Sequence, residues 1–297
     1  MSDATVLINI VLYNPDKDKV LELIRVCSEY QSAKILLFDN AAADAQCLEF
    51  TYSEQIILFK SPKNVGIAGA HHYACKMAER ENLDFVLFLD QDTQLPDYFL
   101  NDMVVEFYQL QKLYPCLSAI GPSWYDSRMN NCYRENNLKR KWFSQKKEEI
   151  LNLLGANNTI ISSGMLILVS ALKKIGYPKK EYFIDLVDIE WCLRARLKNF
   201  QIKKLNHIQI QHDLGEVKIT KNKILKYQKP TRYYYSIRNS FLLFREKQFP
   251  FLFRLYILIK NLKEMQKIPF LPEPLESLLA ALNGLKDGIL SRKGYCK

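Results

Sequence analysis

The sequence predicts an α/β fold, a parallel sheet with helices on both faces, followed by a helical C-terminal extension. Three observations predict it. Short apolar runs alternate with helix-like stretches through the first hundred residues, the order that builds a parallel sheet between helix layers. Each run ends in polar or glycine-containing residues. From about residue 221 basic and aromatic residues dominate at helical spacing. A chain of 297 residues with 48% hydrophobic content supplies one large core and an appendage.

The strands come first. Residues 5–13 (TVLINIVLY), 34–38 (KILLF), 56–59 (IILF) and 85–89 (FVLFL) are too short and too apolar for surface helices, and read as strands buried on both faces. Helix-like stretches lie near 17–30, 43–50 and 67–82. The middle, about 115–170, is irregular, with a strand over 158–169 broken at Ser162-Ser163-Gly164. A helix starts near Asp188, and a strand over 202–210 leads to Gln211-His212-Asp213. Helices are expected near 231–247, 249–265 and 274–290, with a soft boundary near 220.

The formal net charge of +10 is unevenly placed. Residues 1–220 hold 26 Lys and Arg against 27 Asp and Glu, whereas 221–297 hold 16 against five. Such a basic tail meets nucleic acid or an anionic membrane surface, or is a solvated helical face. Seven cysteines with no CxxC pair argue against a disulfide framework or zinc ribbon and for a reducing compartment. The N-terminus has no basic n-region or cleavage site, and no run reaches 18 uncharged apolar residues. The expected location is therefore cytoplasmic, with peripheral attachment to the inner face of the membrane left open.

In open parallel sheets ligands bind at the carboxyl ends of the strands, so the residues there come first. Asp90-Gln91-Asp92 follows the most apolar strand. Two carboxylates flanking one residue suit Mg²⁺ or Mn²⁺, which bridge diphosphate oxygens; the ordinary alternative is a polar turn. His212, after the late strand, can complete such a site, although an isolated histidine is more often a surface or core residue. Asp185, Asp188 and Glu190 stand within six residues among aromatics. One of them can be a general base with its pKa raised by burial, or all three can favour a helix N-terminus; spacing does not rank them. His71 and His72 read as helix-start residues. Asn64 to Gly69 contains glycine but is neither a P-loop nor GxGxxG. Asp39-Asn40 can bond a base or ribose, or simply turn the chain.

Taken in order, YNP, FDN, NVGIAGA, VLFLDQDT, SSGMLI, FIDLVDIEWCLRAR and HDLG over about residues 5–215 resemble glycosyltransferase family 2. LDQDT, SSGMLI, DIEWCLRAR and the later RYYYSIRN at 232–239 are similar to its rhamnosyltransferase branch, which builds O-antigen and capsular polysaccharide. The resemblance implies a GT-A type, Rossmann-like nucleotide-binding mixed sheet flanked by helices. It implies a catalytic domain over 1–220, with 221–297 as a basic amphipathic helical region. It also implies an inverting hexosyltransferase that uses Mg²⁺ or Mn²⁺, with dTDP-β-L-rhamnose as donor and a glycan acceptor on a lipid carrier. Asp92 and His212 take the metal-ligand role. Asp188 is the base, with Val187 in place of the family's preceding acid. Tyr13, Asp39, Asn64, Gly66, Asp90 and Arg238 serve the donor. UDP-galactofuranose or a UDP-hexose is the alternative donor.

A basic nucleic-acid-binding protein is the rival from another class. The acids at the strand ends oppose it, and nucleic acid is not the expected partner. At the other end of the chain, Phe251, Leu252, Leu255, Leu258, Ile259 and Leu262 recur at helical spacing among basic residues. That pattern belongs to a helix lying in a membrane interface, or to one packed on the catalytic domain or on a second copy in a homodimer.

Overall fold

The structure is a computed structural model that describes residues 4–40, 54–126, 159–212, 215–220 and 223–296. The helix expected at 43–50, most of the irregular middle stretch, and Asp213 and Leu214 lie outside the described residues.

Strands β1 (Val6–Leu12), β2 (Ala33–Asp39), β3 (Ile56–Lys60), β4 (Phe85–Asp90), β5 (Leu117–Tyr125), β6 (Met165–Leu168) and β7 (Gln201–Gln211) form one sheet in the order β3-β2-β1-β4-β6-β5-β7. The first four are mutually parallel, as their apolar runs predict. β6 runs antiparallel to both β4 and β5, which makes the sheet mixed. It is shorter than the run 158–169 suggests. Met165 N donates to Ser162 O to close a turn at one end, and Val169 already starts a helix at the other.

Helices α1 (Lys17–Ser28) and α3 (Phe99–Leu113) cover one face. Val6, Ile8 and Ile10 of β1 point into that core, and Leu7 points to the other. Each such fully buried aliphatic side chain contributes about 1.5–3 kcal/mol. Asp16 caps α1, its carboxylate accepting from the amides of Asp18 and Lys19. The second face carries α2 (Gly66–Arg80), α4 (Val169–Ile175) and α5 (Val187–Leu197). Because α2 begins at Gly66, His71 sits in its second turn rather than at the helix start. It is buried, stacked on Phe88 and within 3.0 Å of Asn9 Nδ2, and burial lowers its pKa to about 3. His71 is a neutral core residue.

Beyond the sheet, β8 (Glu216–Thr220) and β9 (Lys223–Tyr227) form a hairpin across the compositional boundary. The three expected helices follow as α6 (Pro230–Arg245), α7 (Phe251–Glu264) and α8 (Pro274–Ile289). Leu242 and Leu243 of α6 and Phe253 and Ile257 of α7 share a core with Tyr182, Val187 and Leu193. The extension is therefore built onto the sheet's helical layer. Its α7 face is not the one periodicity favours. Phe253, Ile257 and Asn261 pack inward at i, i+4 and i+8, and Phe251, Leu252 and Ile259 stay exposed. Among the described residues no helix is long and apolar enough to cross a membrane.

Candidate active site

The site lies where the carboxyl ends of β1, β2 and β4 meet the loop before α5. Asp90 ends β4, and the turn after it is fixed from three sides. Gln91 donates to Tyr13 O and accepts from Tyr13 N, at 3.0 and 2.7 Å. Thr93 N donates to Asp90 O, and the Thr93 hydroxyl bonds the Ser163 hydroxyl. The middle residue of the motif is thus a brace, which leaves the two aspartates free of that role.

His212 is brought in by pairing. Gln94 and Gln211 exchange backbone hydrogen bonds at 3.2 Å each way, and His212 N donates to Tyr125 O. The end of β7 is thereby tied to the turn after β4. His212 Nε2 stands 3.5 Å from Asp90 Oδ2, and one ligand atom each from Asp90, Asp92 and His212 fall within 4.8 Å of one another. The buried His212 Nδ1 has no hydrogen-bond partner among the described residues. Two carboxylates and an imidazole with an orphaned nitrogen are a donor set that fits a hard divalent cation. Burial raises the Asp90 pKa, opposed by the charge of His212.

The three acids of the α5 segment separate by partner. Glu190 is fully buried and paired with Arg194 and Lys179. Asp185 is gripped by Arg232, whose Nε donates at 3.0 Å and whose Nη2 bonds the other oxygen. Asp188 has no basic partner among the described residues; Ile189 N donates to it at 2.8 Å. Burial raises its pKa to about 6, partly offset by backbone amides and reinforced by the charge of Asp185. Of the three it alone is a half-buried carboxyl free to take a proton near neutral pH.

The loop ahead of Asp188 is strained. Phe183, Asp185 and Leu186 all have positive φ, at 63°, 67° and 62°, which costs a non-glycine residue about 1–3 kcal/mol unless its surroundings enforce it. Here they do. Ala68 N donates to Phe183 O at 2.9 Å. Gly66, itself at φ 71°, lets the two chains meet: a Cβ there would stand 2.3 Å from Phe183 O. Asn239 Nδ2 donates to the carbonyls of Tyr182, Ile184 and Asp185, and Phe183 stacks on Tyr235.

The remaining candidates divide. Asp39 is buried at the end of β2, beside Asn40, whose Oδ1 accepts from Val65 N. Asn64 Oδ1 accepts from Gly66 N, and Tyr13 stays exposed at the rim. Arg238 is not brought to the acidic cluster. It is fully buried in α6 and donates to the carbonyls of Gly294 and Tyr182 and to Asn239 Oδ1. Its chemistry is that of a loop support, because its donors face main chain. Sequence reasoning passed over Ser163 and the Asp185–Arg232 pair. The signals were the SSG break opposite β4 and an arginine directly after the Pro230-Thr231 helix start.

Known proteins share this fold. The dTDP-rhamnosyl transferase RfbF of Shigella flexneri is 24% identical over 290 residues, covering 94% of this chain and 96% of that protein. S. aureus TarS matches with a TM-score of 0.57 at 17% identity over 97% of this chain, which spans about half (49%) of that one. TarS 1-349 in complex with UDP-GlcNAc matches with a TM-score of 0.53 at 18% identity, over 97% of this chain and 81% of that one. The shared architecture is the GT-A arrangement of a mixed sheet flanked by helices. A family model described as glycosyl transferase family 2 matches residues 8–176. That range runs from within β1 through β6, and takes in Asp39, Asn64, Asp90 and Asp92; on this match over more than half its length, the chain belongs to glycosyl transferase family 2.

Proposed function

We propose that this glycosyltransferase moves L-rhamnose from dTDP-β-L-rhamnose to a hydroxyl of a bacterial surface-polysaccharide acceptor, in one displacement that inverts the anomeric centre. The observation that carries the mechanism is the division of labour among the acids. Asp90 and Asp92 converge with His212, while Asp188 stands apart with no basic partner and a pKa of about 6.

In this reading Asp90, Asp92 and His212 hold Mg²⁺ or Mn²⁺. The ion, when bound, neutralises charge on the departing diphosphate. Tyr13, Asp39, Asn64 and Gly66 line the approach of the nucleotide. Asp188, ionised, accepts the proton of the acceptor hydroxyl. The hydroxyl oxygen forms its bond to the anomeric carbon as the bond to the diphosphate oxygen breaks, and that oxygen keeps the electron pair. Such base catalysis contributes about 10²–10⁴-fold.

The rhamnosyl donor is supported by the likeness to RfbF; a UDP-sugar is the alternative that the TarS complex brings to mind. A panel of nucleotide sugars, with product configuration read by NMR, tests both. An α-L-rhamnoside formed from the β-donor is expected; a retained configuration would refute single displacement. The acceptor is proposed to be lipid-linked, with the exposed apolar residues of α7 and α8 facing an anionic leaflet. The concentration of acids at the sheet edge makes nucleic acid an unfavourable partner.

A further inference from the structure

Arg232 sits in the first turn of α6, beside Pro230. Asp185 holds only one edge of its guanidinium, through Nε and Nη2. Nη1 makes no hydrogen bond among the described residues, and the side chain is 39% exposed. The charge of Arg232 acts on Asp90 and Asp188 as well as on Asp185. Asp185 in turn is three residues from Asp188, on a loop fixed by Asn239 and Gly66. The guanidinium is thus anchored by one edge, while the rest of the group stays partly exposed and close enough for its charge to act on Asp90 and Asp188.

A charge count says what that edge is for. Two ionised aspartates already balance a divalent cation, so an incoming diphosphate needs a further positive group. A planar guanidinium with free donors matches phosphate oxygens. We propose that Arg232 binds the diphosphate of the nucleotide donor through Nη1 and the outer hydrogen of Nη2, with Asp185 as the positioning residue that presents it. The proposal rests on the nucleotide-sugar reading of the site and adds a phosphate ligand from the C-terminal extension. It also gives the Asp185–Arg232 pair a second consequence. One contact sets both the phosphate-binding arginine and the loop that leads to the base.

The test is equilibrium binding by the full chain with Mg²⁺ or Mn²⁺ present, using dTDP and UDP beside dTMP and UMP. Arg232→Gln should weaken the diphosphates tenfold or more and the monophosphates by about twofold or less. Arg232→Lys, which keeps charge without the fork, should fall between. Asp185→Asn should weaken the diphosphates severalfold. Thermal melting of each variant separates misfolding from loss of a ligand. Equal losses for mono- and diphosphates, or none for Arg232→Gln, would overturn the proposal and leave the pair a loop fastener. A wild-type chain that binds neither diphosphate overturns the nucleotide-sugar reading, and this proposal with it.

Discussion

At the scale of single residues the proposed chemistry turns on which carboxyl forms no ion pair among the described residues. Asp188 differs from Asp185 and Glu190 by partner, not by type. Asp188→Asn keeps the shape and removes the proton acceptor. Turnover is expected to fall about 10²-fold or more while donor binding stays near wild type, measured by steady-state kinetics beside nucleotide titration. In the wild type, turnover should drop as pH falls through about 6, where Asp188 protonates. The same shift predicts a stability effect of fixed sign. A carboxyl whose folded pKa lies above its unfolded value stabilises the fold at low pH, and that contribution is lost as pH rises from about 4 through about 6. Asp188→Asn should therefore be more stable than wild type at pH 7.5, by on the order of 3 kcal/mol, and show no gain at pH 4. A variant that gains nothing at either pH would contradict the burial argument. For the cation cluster, Asp92→Ala and His212→Ala should each abolish metal-dependent transfer and weaken diphosphate binding. Full activity of the wild type in excess EDTA would refute the metal role.

At the scale of elements, the proposed base is held by pieces far apart in sequence. The start of α2 and the middle of α6 grip the Tyr182–Leu186 turn from two sides. Gly66→Ala forces a Cβ against Phe183 O at a backbone angle that disfavours it. A destabilisation of about 2–4 kcal/mol is expected by chemical denaturation, with turnover reduced more than donor affinity. Loss of affinity alone would make the place of Gly66 beside the nucleotide, not its contact with the turn, the one that matters. This arrangement also explains what the sequence could tell. The parallel strands were legible because their runs are short and apolar on both faces. The helices α1, α2, α6, α7 and α8 were legible from periodicity and composition. Asp90, Asp92 and His212 were named from strand ends and from the family resemblance. The Gln94–Gln211 pairing that unites them is a contact between backbones and leaves no residue signature. The partners of Asp185 and Glu190 were less visible: Arg232 and Lys179 reach them through the fold, and only Arg194, one helical turn after Glu190, stands at a spacing the sequence shows. Arg238 was misread for the same reason: a buried arginine bonded to carbonyls and one that binds phosphate look identical in a sequence.

At the scale of the whole molecule, the surplus of positive charge and the exposed apolar surface fall on the same part of the chain. Helix α8 is inverted relative to ordinary packing. Its buried face is Ser277, Ala281, Gly284 and Gly288, and these small residues let α6 approach so closely that a Cβ on Gly284 would meet Tyr234 O at 2.4 Å. Leu275, Leu278, Leu279 and Leu282, at i, i+3, i+4 and i+7, face outward and are each at least 40% exposed. Phe251, Leu252 and Ile259 of α7 are exposed too. A leucine stripe of this kind needs a cover. The same stretch of chain carries Lys263, Lys286 and Lys293, and basic residues there repel a second copy and attract an anionic leaflet by about 1 kcal/mol each near the surface. Truncating the extension would be a poor test, because α6 carries Asn239 and Arg232, which hold the loop leading to Asp188. Surface substitutions are better: Leu275→Ser, Leu278→Ser and Leu282→Ser together leave the small-residue face intact. Wild type should co-sediment with vesicles containing phosphatidylglycerol, and less so as salt rises. It should not co-sediment with purely zwitterionic vesicles. The triple variant should lose most of the binding while keeping its melting temperature and its nucleotide affinity. If the wild type stays in the supernatant with anionic vesicles and runs as a dimer that the triple variant dissociates, a second copy covers the stripe and the leaflet reading fails.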